Sequence, residues 1–422
     1  MNRPLRILQV SDFYAPFIGG AEQHVKTLSH HLARRGHQVT VATTRLPATP
    51  SEETTDGVTI RRIAGWSSRL LTDRYQRSDA PYHPPIPDPG TVAALKEIID
   101  QLQPEIVHAQ GWIAYSCFAA ASRRRFRLVV TMHDHGFVCA QRTLMRDGHT
   151  LCSGPRLDTC LRCASSHYGK VKGAALVVGF RASRPWHNRV DSWIAISQFV
   201  ADANRGTLPR DCEISVIPPA STQPPALAQP PSWLPSDGYL LFVGALRRHK
   251  GLHWLLEAYS GGHFSRPLVV IGTAGPDTPS TWPTGVIART NVPHEHVMEA
   301  WRHAGIGLMP SMCQEGFGLV AVEAMRSGVP VVASRIGALP EIVADDVTGM
   351  LVAPGSISEL RAAIRRLDGD PALRQAMGAA GKVQAKRLTP EVVALSHEQL
   401  YRRLLTEVTA DTLNSAASGG KI

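Results

Sequence analysis

Residues 310–325 read Pro-Ser-Met-Cys-Gln-Glu-Gly-Phe-Gly-Leu-Val-Ala-Val-Glu-Ala-Met. The apolar run at 306–309 predicts a strand before this stretch, and Gly316 and Gly318 lead into a helix that Gly328 ends. The first N–H groups of such a helix have no acceptor within the helix and suit a diphosphate, and glycines let the ligand come close. The stretch therefore predicts a phosphate-binding strand–turn–helix unit, the unit from which parallel α/β sheets are built.

Two carboxylates flank this turn. Glu315 stands directly before the helix, and Glu323 lies about two helical turns inside it. Glycosidases also use a pair of carboxylates, placed on either side of a glycosidic bond. A pair that brackets a phosphate-binding helix start is better suited to holding the sugar hydroxyls of a nucleotide sugar. Taken singly, each residue would be read as a capping or a surface glutamate.

Outward from this stretch, strand and helix patterns alternate in both halves of the chain. A proline-rich segment from Pro218 to Pro235 separates the halves and predicts a linker, because such a density of proline forbids a continuous helix or central strand. Strands are predicted at 5–10, 38–42, 106–109, 128–132, 239–243 and 268–271, and helices at 21–35 and 252–259. We expect an α/β protein with two doubly wound, Rossmann-like domains.

The expected organisation has five parts. Residues 1–217 form an N-terminal Rossmann-like acceptor domain with a cysteine-rich loop at 139–163. Residues 218–235 form the linker, and residues 236–388 form a Rossmann-like domain that binds a nucleotide sugar. A helix at 389–410 is expected to pack back towards the N-terminal domain, and residues 411–422 to form a disordered tail.

The chain resembles the family 4 retaining glycosyltransferases of GT-B fold, in which two Rossmann-like domains face each other across a cleft. The motif Glu315-x7-Glu323 carries the resemblance, together with Ser327–Ala333, Gly337–Val343 and Gly349–Gly355. Upstream, Val243–Leu246 with Lys250-Gly251 is similar to the family's phosphate-binding segment, and Gly19–Glu22 to its first donor loop. These segments span most of the chain in the expected order.

The resemblance implies a role for each matching residue of the C-terminal domain. Glu315 is expected to bind the transferred sugar, Glu323 the ribose hydroxyls and Lys250 the departing diphosphate. The residues expected to offer backbone N–H groups to sugar and phosphate are Gly316, Phe317, Gly318 and Leu319. Fixed cations and N–H donors would then stabilise the charge that develops on the leaving group.

The N-terminal domain is expected to contribute Gly19 and Gly20, which would close over the phosphate, and His133, which would lie beside the sugar ring. His133 follows the strand at 128–132, and ligands bind at the carboxyl ends of parallel strands. The competing interpretation of His133 is a hydrogen-bonded core histidine. Retention would come from attack by the acceptor on the same face of the sugar, without a protein nucleophile.

The chain departs from the family pattern at two places. Relatives usually carry arginine directly after the glycine that matches Gly244, whereas this chain has Ala245. Either Arg247 or Arg248 reaches the same phosphate, or both are surface charges. The linker has Pro218-Pro219-Ala220 where Asn-Gly is usual, which leaves the hinge contact open.

Four of the seven cysteines crowd the loop at 139–163: Cys139, Cys152, Cys160 and Cys163. The Cys160-x2-Cys163 spacing is one that metal ligands use, and the other two could complete a tetrahedral site. The two interpretations are a structural zinc site and four reduced thiols. Catalysis itself is expected to need no metal, since Lys and Arg take that part.

The net charge of +10 lies almost entirely in the N-terminal half, with a cluster at Arg123, Arg124, Arg125 and Arg127. It is either a solvated surface or one that attracts an anionic acceptor or membrane. Trp186 with Arg181, Arg184 and Arg189 belongs either to a surface-binding helix or to the core. No nucleic-acid-binding motif accompanies the charge. No signal or membrane-spanning segment is found, so the expected location is cytoplasmic, with peripheral membrane contact as the alternative.

The predicted function is transfer of a sugar, with retention, from a nucleotide-diphosphate sugar to a hydroxyl acceptor. That acceptor is a natural product, a lipid-linked sugar or a polysaccharide. The alternatives on the same scaffold are a sugar-nucleotide epimerase and a glycoside phosphorylase. From another class, a nucleotide-sugar-binding regulator without turnover is disfavoured because His133, Glu315, Glu323 and Lys250 are all present.

Overall fold

A computed structural model describes residues 3–17, 19–66, 83–121, 125–146, 150–236 and 238–418, with the backbone alone for 408–418. The chain forms two compact units. Unit 1 comprises Met1–Arg142, Gly154–Ala220 and Pro390–Ile422, and unit 2 comprises Thr143–Ser153 and Ser221–Thr389. The division after Ala220 falls inside the proline-rich segment, as the sequence predicts.

Unit 1 is built on an eight-stranded sheet. Its strands are β1 (Arg6–Ser11), β2 (Gln38–Thr44), β3 (Glu52–Thr55), β4 (Val58–Ile63), β5 (Ile106–Gln110), β6 (Arg127–Met132), β9 (Ser192–Ala195) and β10 (Ile214–Val216). Their order is β10-β9-β6-β5-β1-β2-β4-β3, and every neighbouring pair is parallel except β3 with β4. The order reverses direction between β1 and β5, which is the point where ligands bind in doubly wound sheets.

Helices cover this sheet. They are α1 (Gly20–Arg34), α2 (Pro89–Leu102), α3 (Ala114–Ala120), α4 (Leu157–Tyr168), α5 (Lys170–Ser183), α6 (Gln198–Arg205) and the terminal α13 (Pro390–Ser418). Asp88 caps α2 by accepting a hydrogen bond from the Thr91 N–H, and Ser197 caps α6 in the same way. The core joins β1, β2 and α1 to α13, which buries Val393, Leu400 and Tyr401 in it.

Unit 2 has a six-stranded, fully parallel sheet. Its strands are β11 (Leu240–Val243), β12 (Leu268–Gly272), β13 (Val286–Thr290), β14 (Ile306–Met309), β15 (Val331–Ser334) and β16 (Gly349–Val352). Their order is β13-β12-β11-β14-β15-β16, so the reversal lies between β11 and β14. The helices are α7 (Leu252–Ser260), α8 (His294–His303), α9 (Leu319–Ser327), α10 (Leu339–Ile342), α11 (Ile357–Gly369) and α12 (Pro371–Ala385). A small hairpin, β7 (Met145–Arg146) with β8 (Thr150–Leu151), is grouped with this unit.

Two expectations about the chain's organisation differ from the structure. The predicted disordered tail from residue 411 is wrong as far as Ser418, because α13 continues to that residue. Residues 411–418 contain no glycine or proline, so nothing interrupts a helix already started at Pro390. The loop at 139–163, expected within the N-terminal domain, is divided between the two units.

No helix in the described ranges combines the length and the apolar composition that crossing a membrane requires.

Candidate functional site

The start of α9 in unit 2 is open to a ligand. Gly318 precedes the helix with φ 104°, a left-handed conformation that favours glycine, and no side chain caps the first N–H groups. Phe317 is buried, so its ring holds the turn in place. The predicted donors Gly316, Phe317, Gly318 and Leu319 therefore surround an uncapped helix N-terminus, where the helix dipole favours an anion.

A second glycine brings two distant segments together at the point of strand reversal. Gly251 has φ 81°, and a Cβ built on it would lie 1.7 Å from the backbone oxygen of Pro310, so only glycine fits there. The Met312 N–H donates to the backbone oxygen of His249 at 2.8 Å. This close approach between the segment after β11 and the segment after β14 places Lys250 beside Glu315.

Lys250 and Glu315 form an ion pair. The Lys250 Nζ donates to Glu315 Oε1 at 2.7 Å, and the Ser311 hydroxyl donates to the same oxygen at 2.5 Å. Burial would raise the pKa of Glu315, but the Lys250 charge and these hydrogen bonds outweigh it and lower the pKa. Burial likewise opposes the Lys250 ammonium, while attraction to Glu315 raises its pKa. Both side chains are therefore charged at neutral pH.

Glu323 lies inside α9, apart from that pair. Its side chain is 17% exposed, and its Oε1 is 3.5 Å from the Nε2 of His294. Burial raises the pKa of Glu323 to about 7, against a lowering hydrogen bond from Trp301. The two glutamates of the motif are thus in different states near neutral pH: Glu315 is ionised, and Glu323 is poised between its two forms.

The structure distinguishes the two arginines after Ala245. Gly244 continues β11 with φ 155°, and its N–H donates to the backbone oxygen of Ile271. Arg247 is half-buried and its guanidinium lies against Gly275, whereas Arg248 is exposed and its backbone N–H donates to Asp277. Arg247 is therefore the better placed of the two to act in the site of unit 2.

In unit 1, the first donor loop ends at another glycine-started helix. Gly19 is the N-cap of α1, Gly20 is its first residue, and no side chain caps the helix. The Glu22 carboxylate lies over Gly19, where a Cβ would be 2.2 Å from its Oε2. This carboxyl group therefore covers part of the positive end of the helix. Burial raises the pKa of Glu22.

His133 follows β6 as predicted and is half-buried. Its Nε2 lies 2.6 Å from Gln110 Oε1, and burial lowers its pKa to about 4, so the imidazole is neutral near pH 7. Gln110 ends β5, but its role could not be read from the sequence, because the contact joins residues 23 positions apart. Ser311, which binds Glu315, was missed in the same way. The available signal was that both residues stand at the carboxyl end of a strand.

The carboxylate of Asp12 occupies the point of strand reversal in unit 1. Asp12 follows β1, is buried, and accepts hydrogen bonds from the Trp112 N–H at 2.9 Å and the Ile113 N–H at 2.8 Å. A Cβ on Gly111 would lie 2.2 Å from Asp12 Oδ2, so glycine makes room for the carboxylate. The N–H groups that could bind an anion here are held by the protein itself.

The four cysteines of the loop at 139–163 are divided between the two units. Among the described residues, no three His, Cys, Asp or Glu side chains are arranged to hold a metal ion. Cys152 belongs to the segment grouped with unit 2, whereas Cys139, Cys160 and Cys163 belong to unit 1. Cys163 Sγ accepts a hydrogen bond from Gln141 Nε2 at 3.1 Å.

The expected basic surface is in part structural. Arg127 binds Asp191 at 2.7 Å and the backbone oxygen of Leu404 on α13, so it is not a free surface charge. Arg189 donates to the backbone oxygen of Phe118 and lies over the half-buried Trp186 ring. Arg125 is exposed, and Arg123 and Arg124 lie outside the described residues.

Solved structures with this architecture are known. Sucrose-phosphate synthase of Thermosynechococcus elongatus superposes with a TM-score of 0.71 at 21% identity, over 95% of this chain and 100% of that one. Anabaena HepE in complex with UDP and glucose gives 0.65 at 15% identity, over 94% and 100% of the two chains. The chain thus has the GT-B fold, which confirms the predicted fold class.

Comparisons of the sequence with known proteins also find glycosyltransferases. Glycogen synthase of Mycobacterium tuberculosis is 29% identical over 94% of both chains. The D-inositol 3-phosphate glycosyltransferase of Segniliparus rotundus is 26% identical over 92% of this chain and 85% of its own length. The model described as "Glycosyltransferase Family 4" matches residues 18–220, and "Glycosyl transferases group 1" matches residues 228–384. With its two matched regions in this order on a GT-B fold, the chain belongs to glycosyltransferase family 4 and is a transferase enzyme.

Proposed function

We propose that the enzyme transfers a sugar, with retention of configuration, from a nucleotide-diphosphate sugar to a hydroxyl acceptor. The observation that carries the proposal is the Lys250–Glu315 ion pair at the strand reversal of unit 2. Glu315 also stands in the glycine turn that leads into α9, a helix without a side-chain cap. A cation, backbone N–H donors and an ionised carboxylate are the groups that a sugar diphosphate requires.

Each group has a distinct task in this proposal. Cleavage of the bond to the diphosphate builds negative charge on the phosphate, and the Lys250 ammonium and the α9 N–H groups stabilise it. Glu315 accepts hydrogen bonds from hydroxyls of the transferred sugar, and its contact with Ser311 fixes the direction of its carboxylate. Glu323 holds the ribose hydroxyls in its ionised form, and Arg247 adds positive charge. The acceptor attacks from the face that the diphosphate leaves.

Unit 1 supplies Gly19 and Gly20 for the phosphate and His133 for the sugar. His133 is neutral near pH 7, so it acts as a hydrogen-bonding group and not as a cation. No step of this scheme uses a metal. We therefore expect activity to survive exhaustive treatment with a chelator, and its loss, restored by a divalent cation, would assign the charge stabilisation to that ion.

The first experiment is thermal stabilisation of the purified chain by UDP, GDP, dTDP and ADP, each with and without a common sugar. HepE was solved with UDP and starch synthase IV of Arabidopsis thaliana with ADP, so these two nucleotides come first. A shift with one nucleotide, abolished in Lys250→Ala and retained in Lys386→Ala on the surface, supports the site. A folded protein that none of them stabilises contradicts it.

Three reactions then need to be separated. Incubation with the stabilising donor and no acceptor gives a new sugar nucleotide only if the enzyme is an epimerase. Phosphorolysis of a glycoside without any nucleotide identifies a phosphorylase. With an acceptor present, NMR of the product shows whether the anomeric configuration of the donor is retained; inversion would overturn that part of the proposal.

The helical hairpin of α4 and α5 favours an acceptor held at an anionic membrane. Val171 and Val178, seven positions apart on α5, are 85% and 58% exposed. The hairpin contains four basic residues, Arg162, Lys170, Lys172 and Arg181, and a single acidic one, Asp158. Apolar side chains among basic ones are the features of an interfacial helix.

Sedimentation with vesicles tests this surface. We expect binding to vesicles that contain phosphatidylglycerol, weak binding to pure phosphatidylcholine, and loss of binding in Val171→Asp/Val178→Asp. The matched control is Val383→Asp on α12 of unit 2, a site that is 66% exposed. Equal binding by both variants, or none by the wild type, would remove the membrane from the proposal and leave a soluble acceptor.

A further inference from the structure

A chain of buried polar side chains runs through unit 1 from the terminal helix to His133. Its first member is Tyr401 on α13, and it continues through Gln9 on β1 and Gln110 on β5. The three side chains are at most 2% exposed. Buried polar groups cost free energy unless they are hydrogen-bonded. A connected set of them across a sheet therefore needs a role that explains why apolar side chains do not occupy these positions.

The hydrogen bonds of this chain have a defined direction. The Gln9 Nε2 donates to the Tyr401 hydroxyl at 3.3 Å, and the Gln110 Nε2 donates to Gln9 Oε1 at 2.9 Å. The Gln110 Oε1 therefore faces the Nε2 of His133, at 2.6 Å. An amide oxygen only accepts, so the His133 Nε2 must carry the proton and its Nδ1 must carry the lone pair.

The far end of this set fits the same orientation of the amides. The His108 Nδ1 is 2.7 Å from the Tyr401 hydroxyl, and the His108 Nε2 is 2.6 Å from Thr131 Oγ1. Because the Tyr401 oxygen accepts from Gln9, its proton is directed to the His108 Nδ1, which is the lone-pair nitrogen of an imidazole that burial keeps neutral. Loss of the Tyr401 hydroxyl removes the acceptor that faces the Gln9 N–H2 group.

We infer that Tyr401, Gln9 and Gln110 are positioning residues that hold His133 in its Nε2–H tautomer, with Nδ1 as an acceptor for a hydroxyl of the sugar. The inference rests on the proposed function for its last step alone. Without the Tyr401 hydroxyl, Gln9 and Gln110 can reverse their amides together. The reversed Gln110 presents N–H groups to the Nε2 of His133 and selects the opposite tautomer, which has a donor where the sugar requires an acceptor.

The test is a long-range proton–nitrogen NMR spectrum of histidine-labelled full-length protein, with His133 identified by its loss in His133→Asn. We expect the Nε2–H tautomer in the wild type and a shift towards Nδ1–H in Tyr401→Phe. Gln110→Met, which removes the acceptor, should give a mixture. Gln9→Met breaks the chain at another bond and serves if Tyr401→Phe folds poorly. Tyr115→Phe is the matched control, because it also loses a buried tyrosine hydroxyl, one that makes no hydrogen bond among the described residues.

Activity provides a second, separate readout. In Tyr401→Phe, kcat should fall by roughly tenfold, the order of magnitude of one buried hydrogen bond, while the Kd for the nucleoside diphosphate stays unchanged. In a Gln110→Met background the same substitution should have no further effect on kcat, because the path is already cut. An unchanged His133 tautomer in both Tyr401→Phe and Gln110→Met overturns the inference. A changed tautomer in an enzyme that transfers no sugar leaves the positioning role of these residues intact and overturns the proposed function.

Discussion

Both units have a sheet whose strand order reverses, but different residues lie at the point of reversal. In unit 1, between β1 and β5, the carboxylate of Asp12 binds the N–H groups of Trp112 and Ile113. In unit 2, between β11 and β14, the corresponding position holds Lys250 paired with Glu315, beside a helix without a side-chain cap. The backbone N–H groups at the reversal are bound by an internal acid in unit 1, whereas unit 2 has an ion pair at this position.

This difference shows that strand order gives the location of a site but not its use. A short acid after the first strand closes the position in unit 1. In unit 2 the first strand is followed by Gly244, and Lys250 and Gly251 come later. The pairing with Glu315 leaves the lysine charged and within reach of a phosphate. The following predictions test that contrast, in order of decreasing expected effect.

Removing the cation should abolish most activity. We expect Lys250→Ala to lower kcat/KM by about 10²- to 10³-fold, the effect of deleting one group that stabilises charge in the transition state. Steady-state kinetics with the donor found by thermal stabilisation measures this. The surface variant Lys386→Ala should be unaffected. Activity within a few-fold of wild type in Lys250→Ala would mean that the open position of unit 2 is not the reaction site.

Acid should loosen unit 1 before unit 2. Burial lowers the pKa of His24, His108 and His397, and neighbouring positive charge adds to the effect for the first two. Below pH 6.5 these three histidines take up protons in the unfolded chain but not in folded unit 1, so their contribution to the free energy of unfolding falls as pH falls towards 4. We expect a loss on the order of 1–3 kcal/mol for each buried histidine.

Hydrogen exchange at pH 7.5, 6 and 5 distinguishes the units. Protection of the Gly20–Arg34 helix should decline with pH more than protection of the Leu319–Ser327 helix. His24→Gln should reduce the decline in unit 1, and His167→Gln, at an exposed position, should not. Parallel loss of protection in both helices would contradict a difference between the two interiors.

Asp12 should be important for folding and dispensable for the donor. In Asp12→Asn one oxygen becomes an N–H2 group facing a backbone N–H, so we expect a loss of about 1–3 kcal/mol of stability. Urea unfolding measures this loss of stability, with Asp100→Asn, at an exposed position of α2, as the control. The Kd for the nucleoside diphosphate should not change. Nucleotide affinity lost without loss of stability would give unit 1 a donor-binding carboxylate and remove the contrast.

Nucleotide affinity should follow the charge of Glu323. Burial raises its pKa to about 7, and the ribose hydroxyls need the ionised form as acceptor. The competent fraction shrinks below pH 7, so the apparent Kd should rise about tenfold between pH 8 and pH 6. Calorimetric titration measures this. Glu323→Gln should give weaker binding with a flatter profile, and a wild-type profile equally flat would exclude Glu323 from the ribose.

Both α/β halves could be predicted from the sequence because the glycines and prolines that end their helices stand next to those helices in the chain. Gly328 ends α9, Pro104 lies two residues beyond the end of α2, and the prolines from Pro218 onwards separate the units. The glutamates of the site could also be found, since both belong to one short motif. The Lys250–Glu315 pairing could not be derived from the residues, because it joins positions 65 apart and depends on Gly251 fitting against Pro310.

The features that the sequence did not reveal depend on distant contacts or on neighbouring elements. The role of Asp12 could not be read from the sequence, because its partners Trp112 and Ile113 lie 100 and 101 positions further along the chain. The cysteine spacing allowed a zinc site or four reduced thiols, and spacing does not reveal that the segment with Cys152 is grouped with the other unit. The tail was expected to be disordered from its small residues, which are compatible with a helix once another helix leads into them.

The return of α13 to unit 1 has a consequence for how the protein is made. Val393, Leu400 and Tyr401 complete a core whose other members end at Ala220. At about 5–20 residues per second, a ribosome needs on the order of 10–40 s to proceed from there to Leu404. During that interval the first half of the nascent chain has an open hydrophobic face, whereas all six strands of the unit 2 sheet have been synthesised once Val352 is added. The half that is synthesised first is therefore the half that finishes folding last, and a chaperone would have most to protect there.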